Sequence, residues 1–139
     1  MIECGRTGSQ CGGRKAGIVP PPQEGWEFRV PGPIQGYVRT TQRQKWVDPR
    51  YKRYQRWKQT IRSIANVANV PEILCRDCRY QINVIVNWRR RPRCDADNVL
   101  KGLIDALWRQ DRQIYNINLV TVVNVGGSDL LQIWIKMIQ

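Results

Sequence analysis

Asp95, Asp97, Asp105 and Asp111 place four of the chain's eleven acids between positions 95 and 111. Arginines crowd them: Arg89, Arg90, Arg91 and Arg93 come before, Arg109 and Arg112 at the far end. A surface built only to hold nucleic acid would avoid carboxylates, because they repel phosphate. A divalent cation removes that conflict, since Mg²⁺ takes hard oxygen ligands and bridges carboxylates to substrate phosphates. The chemistry implied is metal-assisted phosphodiester hydrolysis. The chain has no histidine to serve as a general base, so activation of water falls to the metal.

Spacing supports a shared site. In an extended segment Asp95 and Asp97 point to the same side. Asp97 or Asn98 can begin a helix, whose positive dipole end favours an acid. Asp97, Lys101 and Asp105 then follow at successive i,i+4 positions on one polar stripe. Asp111 can return beside the start of that helix only if the next strand lies adjacent. The same spacing also describes a capped helix carrying an Asp–Lys–Asp salt-bridge ladder on its wet face. Spacing alone leaves both open.

The elements that must position these residues are legible from period and punctuation. The acidic helix covers about 98–109, with Val99, Leu100, Leu103, Ile104 and Leu107 toward the core. Before it, Tyr80 to Trp88 alternates as a half-buried strand with Ile82, Val84, Val86 and Trp88 inward. An earlier helix starts at Asp48-Pro49, a capping residue followed by the favoured first helical residue. Its buried face is Tyr54, Trp57, Ile61, Ile64, Ala65 and Ala68, and Pro71 limits its end. Arg50, Lys52, Arg53, Arg56, Lys58 and Arg62 fall on its outer faces. Residues 26–38 read as a strand broken by Pro31 and Pro33, suited to a sheet edge or bulge. Ile117–Val125 and Leu130–Ile138 flank Gly126-Gly127 and read as a hairpin, whose apolar alternation serves either the core or a dimer edge. The order β-α-β-α-β-β predicts an α/β (α+β) domain over 26–139, with two helices on a small mixed sheet of about four strands. Residues 1–25, rich in Gly and Pro, read as a flexible arm.

Charge narrows the partners. With 23 Lys and Arg against 11 acids, the net charge is +12, which favours polyanions, although a basic balance can serve solubility alone. From Arg39 to Arg62 there are nine cations and one acid. Arg39, Arg43, Lys45, Arg50, Lys52, Arg53 and Arg56, with Arg89, Arg90, Arg91 and Arg93, are the candidate DNA contacts. Trp46 and Tyr51 are open to base stacking, whereas Tyr54 and Trp57 belong to the core stripe. No apolar run reaches the ~18 residues of a membrane span and no secretory h-region follows the N-terminal charges, so no membrane partner and a cytoplasmic location are expected. Five cysteines, an odd number, suit reduced, partly buried thiols better than a disulfide framework. Cys75 and Cys78 form one CxxC that Cys4 and Cys11 could complete as a zinc site, at a spacing outside the usual range. Cys94, beside Asp95, lacks a histidine partner for nucleophilic work.

The run Asp95-Ala-Asp97-Asn98-Val-Leu-Lys101-Gly-Leu-Ile-Asp105-Ala-Leu107 resembles the signature of the RusA family of Holliday junction resolvases, and Gln110-Asp111-Arg-Gln113-Ile114 resembles that family's later acidic pair. The specific match covers residues 95–114, and the order of elements agrees from about Trp26 onward. The resemblance implies a homodimeric endodeoxyribonuclease that nicks four-way DNA junctions in pairs, in the cytoplasm of a bacterial or phage-infected cell. It implies Mg²⁺ held by Asp95, Asp97 and Asp111, Lys101 as the essential cation near the scissile phosphate, and Asn98 and Asp105 orienting the site. Gln110 stands where the family has a second adjacent acid. That substitution keeps a second function open, a non-catalytic basic nucleic-acid-binding protein that has lost part of its metal site. A basic RNA-binding module explains the charge but leaves the acids without a purpose.

Overall fold

A computed structural model describes residues 25–39, 47–124 and 126–138. All of the expected arm but Gly25 lies outside them, as do Arg43, Lys45, Trp46, Cys4 and Cys11. The element order is that expected, and the class is α+β.

Helix α1 spans Pro49–Val67 and begins as its capping sequence requires: the Asp48 side chain accepts from the Arg50 N–H at 2.9 Å. Arg50 also meets Asp48 through its guanidinium, which holds that carboxyl below its ordinary range. Tyr54, Trp57, Ile61 and Ala65 are buried, while Ile64 and Ala68 pack against the core half-covered. Lys58 does not belong to the cationic exterior. It is 8% exposed and sits on the buried stripe, one turn after Tyr54. Helix α2 spans Ala96–Leu107, two residues earlier at each end than the periodicity suggests. Asp95 is its N-cap and Asp97 lies in its first turn, so the two acids are not neighbours on an extended segment. Val99, Leu103 and Leu107 are buried as expected, and Leu100 and Ile104 are half-buried.

Strands β1 (Trp26–Pro31), β2 (Arg79–Trp88), β3 (Ile114–Val123) and β4 (Leu130–Ile138) form one sheet in the order β1-β4-β2-β3. Tyr80, Ile82, Val84, Val86 and Trp88 all point into the core. β1 is shorter than the broken strand expected over 26–38, but it does occupy an edge. The expected C-terminal hairpin is not formed. β3 runs parallel to β2, with α2 as the crossover that parallel strands require, and β4 lies antiparallel between β1 and β2. The glycine turn is real, with Gly126 at φ 90°, but it delivers the chain across the end of β2. The Asn124 N–H donates to the Trp88 carbonyl at 2.8 Å, and the Asp129 carboxylate accepts from the Arg89 N–H at 2.8 Å and from Arg93 at 2.7 Å. Those bonds fasten the connection over the strand it crosses.

Alternation along β1, β2 and β4 buries one face of the sheet under the two helices; the other face is exposed on β1 and half-buried along β2 and most of β4. The helices cross closely at Gly102, where a Cβ would stand 3.0 Å from Trp57 and 3.1 Å from Tyr54. Among the described residues no helix is long and apolar enough to cross a membrane.

Candidate active site

An open cavity of about 420 Å³ lies against the polar side of α2. The helix contributes Asp97, Lys101 and Asp105, with Leu100 and Ile104 as an apolar floor. The segment after it contributes Trp108, Arg109 and Asp111, and the segment after β1 contributes Tyr37 and Arg39. The i,i+4 stripe therefore does face one space. Asp111 joins it because the chain turns at once into β3: the Ile114 N–H donates to the Asp111 carbonyl at 3.0 Å, and β3 lies directly beside β2. Trp108 fixes that turn from below. Its ring is buried and its Nε1–H donates to the Pro71 carbonyl at 3.0 Å, tying the loop to the segment following α1.

Asp97 and Asp111 are exposed into this cavity. Asp95 is exposed too, but it does not line the cavity, and its backbone carbonyl accepts from the N–H groups of Asn98 and Val99. Among the described residues no three acid, cysteine or histidine side chains stand close enough to hold a metal ion by themselves. Mg²⁺ rarely has an all-protein cage. One or two carboxylates, water and substrate phosphate are its usual set, and the oxygen donors Asp97 and Asp111 fit that set.

Asp105 has a different task. Its Oδ2 accepts from the Tyr54 hydroxyl at 3.0 Å and from the Lys58 ammonium at 2.8 Å. Burial raises the Asp105 carboxyl, but those two bonds outweigh it and hold the group below its ordinary value. Burial and the same carboxylate push the Tyr54 phenol well above its usual range. Asp105 thus locks α2 to α1, and Arg62 adds a second tie through the Ala106 carbonyl at 3.0 Å. Because the folded carboxyl is depressed, the stability it contributes is present above its ordinary value of 3.8 and is lost as pH falls through the lower folded value. Asp105→Asn is expected to remove part of the acid sensitivity that thermal melts of the unmodified chain should show as pH falls below 3.8. An unchanged pH profile in that variant would argue against the tie.

No ion pair among the described residues joins Lys101 to Asp97 or Asp105, so the salt-bridge ladder is not built. The Lys101 Nζ stands 5.4 Å from the centre of the Tyr37 ring, close enough for a cation–π contact that leaves its charge facing the cavity. The Tyr37 N–H donates to the Asn98 carbonyl at 3.1 Å, which secures this segment against the start of α2.

Of the expected DNA contacts, Arg39 lines the cavity and Lys52, Arg53 and Arg56 are exposed on α1. Arg89, Arg90 and Arg91 are exposed where β2 ends. Arg50 is paired with Asp48, while Arg93 pairs with Asp129 and lies 5.2 Å over the Trp88 ring. Cys94 is half-buried, and burial raises its thiol, which suits no nucleophile. Cys75 is buried and disulfide-bonded, not the reduced thiol expected.

Residue types alone do not single out Tyr37 or Trp108, name Arg109 only as one of the arginines around the acids, and assign Lys58 to an outer face. Lys58 carried a usable signal: positions 54, 58, 61 and 65 make one helical stripe, and the only cation on it needs an acid across the interface. No protein-family model matches the chain, and no curated protein matches it.

Proposed function

We propose that the chain is a Mg²⁺-dependent, structure-specific endodeoxyribonuclease of the Holliday junction resolvase type, akin to the RusA family. The observation that carries the reading is the convergence of Asp97 and Asp111 on one open cavity whose remaining charged lining is Lys101, Arg39, Arg109 and the Lys58-bound Asp105. Two uncommitted carboxylates amid cations suit a metal that meets a phosphate.

Asp97 and Asp111 would hold the ion. When bound, Mg²⁺ supplies charge to the phosphate and lowers the pKa of an attacking water. Lys101 and Arg109 offset the negative charge that builds on the phosphoryl oxygens, and Arg39 orients the strand. Asp105 acts at one remove by fixing α2, and Asn98 by holding Tyr37 in place. Hydrolysis leaves a 5′ phosphate and a 3′ hydroxyl. The exposed arginines and lysines of α1 and of the turn after β2 neutralise backbone phosphates, so affinity falls steeply with salt. A two-fold homodimer suits the near-two-fold symmetry of a four-way junction, with one site for each opposed strand. Such work on DNA places the protein in the cytoplasm.

The second reading is a binding protein without catalysis, favoured by Gln110 and because, among the described residues, no third acid stands close enough to share a metal ion with Asp97 and Asp111. A synthetic four-way junction with Mg²⁺, against a linear duplex of equal length, separates the two. The first reading expects paired nicks in the junction alone, abolished by chelation. Tight, salt-sensitive binding with no cutting at any Mg²⁺ concentration leaves the second.

A further inference from the structure

The sheet face turned away from the helices carries side chains of one unusual kind. Register and alternation bring six carboxamides together there: Gln81, Asn83 and Asn87 of β2, Asn116 and Asn118 of β3, and Gln132 of β4. Asparagine is depleted in strands, so placing four on two adjacent strands costs stability and calls for another reason. The amides hold one another in position. Asn83 Oδ1 accepts from the Asn118 amide at 2.7 Å and from Gln81 at 3.0 Å, and Asn87 donates to Gln132 at 3.0 Å. Those bonds leave each carboxamide with further N–H or oxygen positions, and among the described residues none of these atoms is buried without a partner. Trp134 stands half-buried in the same face, within the row Glu27, Trp134, Asn83 and Asn118 that crosses all four strands. Arg29 lies beside Gln132 and Lys136 beside Gln81, both exposed. Glu27 is the one acid on the four strands, and no residue of this face lines the cavity beside α2.

We propose that this face binds single-stranded DNA, with a base stacked on Trp134, base edges on the carboxamides and phosphates beside Arg29 and Lys136. Carboxamides donate and accept at once, as base edges do, whereas a surface made for phosphate alone would carry cations in their place. A duplex hides those edges in its grooves. The outer strands of the sheet stand roughly 14 Å apart, too wide for a major groove of about 12 Å, so only unpaired bases reach the amides. Stacking on an aromatic ring tolerates any base. The net charge of +12 favours a polyanion on this face over a second copy of the chain, which would bring its own cations against Arg29 and Lys136.

The site is separate from the exposed cations of α1 and of the turn after β2. Those contacts neutralise phosphates of any strand, paired or not, and weaken steeply with salt. Binding through stacking and amides persists when salt has suppressed them. The proposal does not rest on the nuclease reading, and its test involves no cutting.

Fluorescence anisotropy of a short labelled DNA strand on the full chain, in chelator and high salt with excess unlabelled duplex, tests the site. The strand is expected to stay bound, and Trp134→Leu and Gln132→Glu should each raise its Kd at least about fivefold. Gln132→Glu keeps the oxygen that accepts from Asn87 while adding a charge that repels phosphate, so the fold should hold, as circular dichroism and Tm would confirm. As a second measurement, a strand substituted with bromodeoxyuridine is photocrosslinked and the attachment is mapped by mass spectrometry, with Trp134 or its neighbours on β2 and β4 as the expected positions. Displacement of the strand by duplex, unchanged affinity in a folded variant of either kind, or crosslinks confined to α1 and residues 89–91 overturns the proposal. So does a dimer that Gln132→Glu splits while strand binding is unchanged, since the face is then a contact between copies. None of these outcomes bears on whether Asp97 and Asp111 support cutting.

Discussion

On the proposed nuclease reading, Asp97→Asn is expected to lower Mg²⁺-dependent cutting of a four-way junction by on the order of 10²–10³-fold, with binding retained. Asparagine keeps the size of the side chain and removes the anionic charge a hard cation needs. Asp97 is exposed into the cavity and has no bond that fastens α2 to α1, so the fold should not register the change. Asp111→Asn should cost as much, because it is the other uncommitted carboxylate facing that space. Asp95→Asn should cost clearly less. The family resemblance implies equal standing for the three acids, but Asp95 sits at the helix cap outside the cavity lining. Cleavage on denaturing gels and fluorescence anisotropy of the labelled junction supply the two readouts. Full activity in Asp97→Asn, or an equal loss at Asp95, would falsify this ranking of the ligands.

Trp108→Ala is expected to destabilise the fold by about 3–5 kcal/mol, the usual cost of emptying a large buried aromatic site. The ring is 4% exposed and its Nε1–H is satisfied by the Pro71 carbonyl. Trp108→Phe retains most of the packing and gives up the bond, leaving the carbonyl to find another donor, for about 1 kcal/mol. The difference matters to the site because Trp108 begins the segment that carries Arg109 and Asp111. The phenylalanine variant should stay folded at room temperature and cut less well, as the turn before β3 loosens. Chemical denaturation followed by tryptophan fluorescence and circular dichroism measures the stabilities. A loss below 1 kcal/mol in Trp108→Ala would show that the ring is not a support of that turn.

Much of the scaffold was readable because short-range physics decides it. Asp48-Pro49 starts α1 through a cap that needs only neighbouring residues, and Tyr80 to Trp88 alternates because one face of β2 is buried. The partner of each strand was not readable. A Gly-Gly turn between two apolar runs suits a hairpin, and nothing local reveals that Asn124 and Asp129 fasten the connection across the end of β2. Lys58 was misplaced for the same reason: its acid lies forty-seven positions away on another helix. Within the site, the stripe Asp97–Lys101–Asp105 follows from helical period alone. The separate fates of its two acids depend on the crossing of α1 over α2, which no spacing rule encodes.

The position of β4 bears on how the chain reaches its native state. β1 emerges first during synthesis, yet the strand it must join follows every other element. Until residues 130–138 are released, β1 has no strand to pair with, and β2 offers one unpaired side to any passing extended segment. Contacts of such long sequence separation slow assembly and lengthen the interval in which sticky edges are uncovered. Helices α1 and α2 can meet earlier through Asp105 and Gly102, so the waiting intermediate is a helical pair with half a sheet. A ribosome stalled before residue 130 should hold a species that proteases cut readily within 26–31.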